Sequence, residues 1–214
     1  MRQIDVQSWS RRDHFERFRD FDHPHFNICA NVDLTRFHPT VKRHGFSFTA
    51  AIVYVLTRAA NSIPQFRYRI RGDGVVEHEV VHPSFTVLTN EDVFSFCRPD
   101  YTEDFPQFAE RVSESAGYVR ENPTIIDDPE VDNRLYMSAM PWLSFTSVMH
   151  PMNMSFPDSV PRMVWGKFFE EGQELKMPLS VQAHHALMDG IHIGRFYSLV
   201  QEFLDNPEEF LFQV

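Results

Sequence analysis

Two adjacent histidines, His184 and His185, stand in the run HHALMDG, which ends on Asp189 and Gly190. An imidazole exchanges a proton near neutral pH, so a histidine held in a cleft is a natural general base. The preceding residues, PLSVQA, alternate apolar and polar as a strand does. Asp189-Gly190 breaks that strand before a helix. Neighbouring strand residues point to opposite faces, so at most one of the two histidines faces a given site. Three arrangements fit the spacing. Both histidines are ordinary core or surface residues; or they join Asp189 and His192 around a metal; or one is a base with Asp189 near it. Adjacent strand histidines do not easily reach one ion, and no HExxH or cysteine partner exists. Spacing alone does not separate the other two arrangements.

The surrounding elements must hold those histidines. Ser10 can cap a helix over 10–21, with Phe15, Phe18 and Phe21 three apart on one face. FNICANVDL, 26–34, reads as a half-buried strand. Ser47 opens a helix over 48–62 whose centre, AAIVYVL, is apolar nearly all round and therefore buried. The segments 66–71 and 75–81 flank Gly72-Asp73-Gly74 as a hairpin. Strands are predicted over 84–89 and 94–98, and a helix over 103–120 with Pro106 in its first turn. The polar stretch 121–134 reads as a long loop. Strands then follow over 135–140, 143–149, 163–169 and 175–184, with Gly172 turning between the last two. A helix over 191–206 closes the chain. Strands and helices mix without strict alternation, which predicts an α/β (mixed α+β) sandwich: a mixed, largely antiparallel sheet covered by helices. Residues 1–214 are expected to form one domain.

Composition narrows the function classes. Of 214 residues, 43% are hydrophobic and 21 are Phe, which gives an aromatic-rich globular core. The formal net charge is −10, and no basic stripe for nucleic acid is visible. The longest apolar run, 50–56, is far short of the ~20 residues that cross a bilayer. The N-terminus has no apolar signal region. Cys29 and Cys97 form no CxxC pair, and a reducing compartment with both thiols buried is expected. These features point to a soluble, cytoplasmic protein with no metal.

HHALMDG fits an HHxxxDG signature shared by chloramphenicol acetyltransferases, dihydrolipoyl acyltransferases and condensation domains. The wider PLSVQAHHALMDGIHIGRF resembles the chloramphenicol acetyltransferase family specifically. So do WSRRDHFERFR at the N-terminus, SAMPWLSFTS over 138–147, HPSFTV, and the last helix. The resemblance spans essentially the whole chain. It implies the CoA-dependent acyltransferase sandwich and O-acetylation of chloramphenicol by acetyl-CoA, an antibiotic inactivation. Acetyl-CoA would be a cosubstrate, with no permanently bound cofactor.

Residue by residue, the resemblance implies that His185 is the base and that Ser138 donates to the tetrahedral oxyanion. Asp189 would pair with Arg11 and brace the loop, and the backbone carbonyl of His185 itself would orient its ring. Trp142, Lys167 and Phe168 match the family's CoA-binding positions. Phe18, Phe94, Val148 and Val164 fall in its acceptor pocket. That pocket departs from the family: Arg17, Asp22, Pro24 and His150 replace apolar or sulfur residues, Val148 replaces a phenylalanine, and Val164 stands where a threonine is usual. The family also implies a homotrimer with active sites between subunits. Two alternatives remain: the same chemistry on a different hydroxyl acceptor, and a non-catalytic binding module of the same fold.

Overall fold

The computed structural model describes the chain except residues 127, 129–130, 154–157 and 213–214. In chain order the elements are β1 (Arg2–Ile4), α1 (Arg12–Phe18), β2 (His25–Asp33), α2 (Phe37–Arg43) and α3 (Phe48–Asn61). A 3-10 turn, Pro64–Arg67, leads into β3 (Tyr68–Arg71) and β4 (Gly74–Glu77). β5 (His82–Leu88), β6 (Phe94–Cys97), α4 (Phe105–Glu121) and β7 (Arg134–Met140) follow. The chain ends with β8 (Arg162–Gly166), β9 (Phe169–Glu171), β10 (Glu174–His184), α5 (Gly190–Asp205) and α6 (Pro207–Phe212).

The main sheet runs β2-β10-β8-β7-β5-β6, with β9 paired to β10. β2, β8 and β9 pair β10 antiparallel, while β5–β7 and β7–β8 are parallel. The sheet is therefore mixed, as the irregular order of elements predicts. A smaller sheet, β1-β4-β3, flanks it.

One face of the main sheet makes the core. Leu179, Val181 and Ala183 of β10 are fully buried with Met163, Leu135 and Phe85. α3 packs on this face flanked by α4 and α5, which also contact the sheet, and its residues from Ala50 to Thr57 are all buried. Ser47 caps α3 by accepting from the Ala50 N–H at 3.4 Å. The alternate residues of β10, Ser180, Gln182 and His184, point to the opposite face. There Ser180 Oγ donates to Asn27 Oδ1 at 2.8 Å and Gln182 reaches Met152 sulfur at 3.3 Å.

Several expectations are corrected. The first helix is shorter than 10–21: Arg11, not Ser10, precedes it, and Phe21 has left the helix to pack edge-on against Phe18. The span 143–149 is no strand, because its backbone is used elsewhere: Leu143 carbonyl accepts from the Lys167 N–H at 2.7 Å. Residues 64–67 turn before the hairpin instead of extending it. β1, α2, β9 and α6 were not expected. Cys97 is buried, but Cys29 is only half-buried.

Candidate active site

His184 is the last residue of β10, and His185 opens the turn beyond it. The strand separates their environments. His184 is 2% exposed, lies edge-on to the His25 ring, and accepts from the Ala186 N–H at 3.2 Å. Burial pushes its pKa down to about 3, with His25 adding to the effect, so its ring is neutral. His185 remains 37% exposed. Its backbone N–H donates to the Pro24 carbonyl at 2.8 Å, which fixes the start of the turn. Phe18 stacks on its ring at 4.3 Å and 10°, and Phe26 lies at 4.8 Å.

His185 is oriented differently from the expectation. Its own carbonyl accepts from Arg11 Nη2 at 2.6 Å. The ring Nδ1 lies 3.1 Å from the Met188 carbonyl instead. A carbonyl only accepts, so Nδ1 is the donor, and in the neutral ring Nε2 is the nitrogen that presents a lone pair. Asp189 Oδ1 is also near, 3.2 Å from Nδ1.

Arg11 binds the whole turn. Its guanidinium engages both carboxylate oxygens of Asp189, the His185 carbonyl, and the Ala186 carbonyl at 2.9 Å. The planar fork of arginine suits such a set of acceptors; a lysine ammonium does not. The contact with Arg11 holds the Asp189 carboxyl below its usual range. Asp189 also begins α5 through a capping box with His192, whose Nδ1 accepts from the Asp189 N–H at 2.9 Å. The sequence distance from Arg11 to Asp189 hides this junction; a shared motif reveals it.

A second set of candidate residues lines a cleft of about 800 Å³ between the start of α3, α4 and the ends of β5–β7. Ser138, Thr86, Phe94, Trp142 and Arg120 are in its wall. Ser138 Oγ and Thr86 Oγ1 are hydrogen-bonded at 2.9 Å. Val164 is buried and directly paired with Ser138. Lys167 is exposed and tied to the Trp142 turn through the Leu143 carbonyl. Phe168 packs on His38 at 5.1 Å and Phe48 at 5.9 Å.

The structure does not bring the two sets together. Ser138 is level with Val164, and Val164 with Ser180, two strands from Ser138. His185 lies five residues beyond Ser180, one past the end of β10. Strand spacing and rise put Ser138 and His185 roughly 19 Å apart in one chain. Phe18 is on the histidine side and Phe94 on the serine side. Val148 lies over β2, its carbonyl accepting from Asn27 Nδ2 at 2.9 Å. Arg17 rides over Phe21 at 5.5 Å. Nε2 of His150 is buried without a hydrogen-bond partner among the described residues, and burial pushes its pKa down to about 4.

Sequence reasoning did not find Phe26, Thr86 and Arg120. Thr86 lies inside the recognised HPSFTV run. The other two have common residue types with no distinguishing spacing. Among the described residues no cluster of His, Cys, Asp and Glu could hold a metal ion, and no helix is long and apolar enough to cross a membrane.

A mixed sandwich with a histidine held on a strand-end turn is, with the family match over nearly the whole chain, that of an acyltransferase-type enzyme. Residues 1–201 match the family described as chloramphenicol acetyltransferase. The chain belongs to the chloramphenicol acetyltransferase family. A chloramphenicol acetyltransferase from Klebsiella sp is 33% identical over 206 residues, covering 95% of this chain and 93% of that one. A solved chloramphenicol acetyltransferase superposes with a TM-score of 0.82 at 29% identity, over 95% of this chain and 100% of the other. Azotobacter vinelandii dihydrolipoamide acetyltransferase shares the fold at 16% identity and a TM-score of 0.65, over 92% and 88% of the two chains.

Proposed function

We propose that this chain, as one acyltransferase domain over 1–214, transfers the acetyl group of acetyl-CoA to a hydroxyl of chloramphenicol. The observation that carries the reading is the bond between His185 Nδ1 and the Met188 carbonyl, which leaves Nε2 as a base. The substrate hydroxyl attacks the thioester carbonyl carbon as its proton passes to Nε2. That assistance is typically worth ~10²–10⁴-fold. The oxyanion so formed accepts a hydrogen bond from Ser138, a contribution of roughly 10²–10³. The C–S bond then breaks, and the CoA thiolate takes the proton from His185. The products are the acetyl ester and CoA thiol, and no acyl-enzyme is required.

Trp142, Lys167 and Phe168 are assigned to acetyl-CoA. Lys167 supplies positive charge that a net-acidic protein needs near a polyphosphate. The acceptor wall comprises Phe18, Phe94, Val148 and Val164. The roughly 19 Å between His185 and Ser138 within one chain supports a site shared between copies, and the family resemblance makes a homotrimer the assembly. In it, His185 of one copy meets Ser138 of the next. A cytoplasmic location belongs to the same reading, because acetyl-CoA is a cytoplasmic metabolite.

The test mixes protein, acetyl-CoA and chloramphenicol and follows free thiol. Turnover is expected, with a loss of at least ~10²-fold in His185→Gln. Turnover unaffected by that substitution would overturn the assignment of the base. A second reading keeps the chemistry and changes the acceptor. The unpaired Nε2 of His150 favours it, because a buried polar atom gains from a polar ligand. Thiol release with another alcohol but none with chloramphenicol would select it.

A further inference from the structure

We propose that Thr86 is a positioning residue for transfer: it donates to Ser138 Oγ, so that the serine proton points at the reacting carbonyl. The proposal rests on the reading of Ser138 as oxyanion donor.

The geometry is specific. β5 and β7 are parallel, with Ser84 paired to Tyr136 and Phe85 to Met137. The next step along both strands sets Thr86 beside Ser138 on the same sheet face, and their hydroxyls lie 2.9 Å apart. Both side chains line the cleft. A serine hydroxyl has one proton. If Ser138 gives it to Thr86, none is left for a substrate. If Thr86 donates instead, the Ser138 proton is free and its rotor is held by the bond it accepts. A developing oxyanion selects the second arrangement, because a hydrogen bond to a charged acceptor is about twice as strong as a neutral one.

The relay then runs from Thr86 to Ser138 to the oxyanion, and each bond polarises the next. No proton changes owner and no covalent bond forms. The remaining neighbour of Ser138 on this face is Val164, which has no hydroxyl or amide to offer. Thr86 is thus the group on an adjacent strand that can orient the serine.

The experiment compares kcat and KM for Thr86→Val and Thr86→Ser, each alone and in a Ser138→Ala background. Valine keeps the shape and β-branching of threonine, so the strand is retained; circular dichroism and thermal unfolding verify this. Thr86→Val is expected to lower kcat on the order of 10-fold with little change in either KM, the scale of one lost hydrogen bond. Thr86→Ser is expected to restore it. In Ser138→Ala the valine substitution is expected to have no further effect, because there is no hydroxyl left to orient. An equal loss in both backgrounds, or no rescue by serine, would overturn the proposal. No loss in Ser138→Ala itself would instead remove the oxyanion role, a failure that the single variant identifies separately.

Discussion

At the residue scale the paired histidines divide the work between interior and site. His185 keeps about a third of its side chain accessible, stacked on Phe18. His184 is sealed behind it and kept neutral by burial, facing His25 of β2 with Asp158 and His185 nearby. Burial lowers the His25 pKa as well. In the unfolded chain a histidine protonates near its ordinary value of about 6.5. The folded state leaves His184 unprotonated until about pH 3. Between these values the unfolded state binds more protons, so stability rises with pH in that window. The contribution is fully present above the unfolded pKa and is lost as pH falls. From about pH 7 to pH 5 the loss for one such histidine is about 2 kcal/mol. Urea unfolding at the two pH values is expected to show at least this difference. His184→Asn, whose carbonyl can still accept from the Ala186 N–H, is expected to reduce it by about that amount. An unchanged pH dependence in the variant would assign acid sensitivity to other groups.

At the element scale the site depends on how loops cross strand ends. Gly166 closes β8 where the Trp142 turn passes over it. A Cβ there would stand 2.7 Å from Pro178 Cγ, 2.8 Å from the Leu143 carbonyl oxygen and 2.9 Å from Phe145 Cε1. One of these neighbours is backbone, which has little freedom to yield. Gly166→Ala is expected to cost about 1–3 kcal/mol, as overpacking does. It should also lift the turn and raise the KM for acetyl-CoA; thermal unfolding and initial rates measure the two effects. An unchanged KM would disconnect Trp142 from cosubstrate binding. This crossing also explains what the sequence concealed. α3 and α5 are legible because Ser47 opens the first, whose centre is apolar nearly all round, and Asp189-Gly190 breaks the strand before the second. Residues 143–149 alternate like a strand, yet Lys167 takes the Leu143 carbonyl from a distant part of the chain. α2 carries Pro39 in its first turn and gives little periodicity in seven residues. The parallel pairing of β5, β7 and β8 leaves no local signal. The orientation of His185 has no local signal for the same reason: Met188 meets its ring in a turn that Arg11, far away in sequence, ties together.

At the scale of the whole molecule, the proposed base and the proposed oxyanion donor stand in separate parts of one chain. The histidine half comprises α1, the start of β2 and the turn after β10; the serine half comprises β5, β7 and the cleft under α4. They are roughly 19 Å apart on one sheet, too far for a base and an oxyanion donor to serve one carbonyl. In a ring of identical copies, head-to-tail contact lets the first half of each copy meet the second half of its neighbour. This makes a sharp expectation for mixed assemblies. His185→Ala and Ser138→Ala chains, each nearly inactive alone, are denatured together in equal amounts and refolded. A complete site forms wherever an intact histidine half meets an intact serine half. With random mixing that occurs at about a quarter of the interfaces, so about a quarter of the wild-type turnover should return. The two variants refolded separately and then combined should stay inactive unless the copies exchange. A site contained within one chain could not be rebuilt by mixing, because every chain carries one defect. Refolded mixtures no more active than the separate variants, with mixed assemblies confirmed by mass spectrometry, would therefore rule out the shared site.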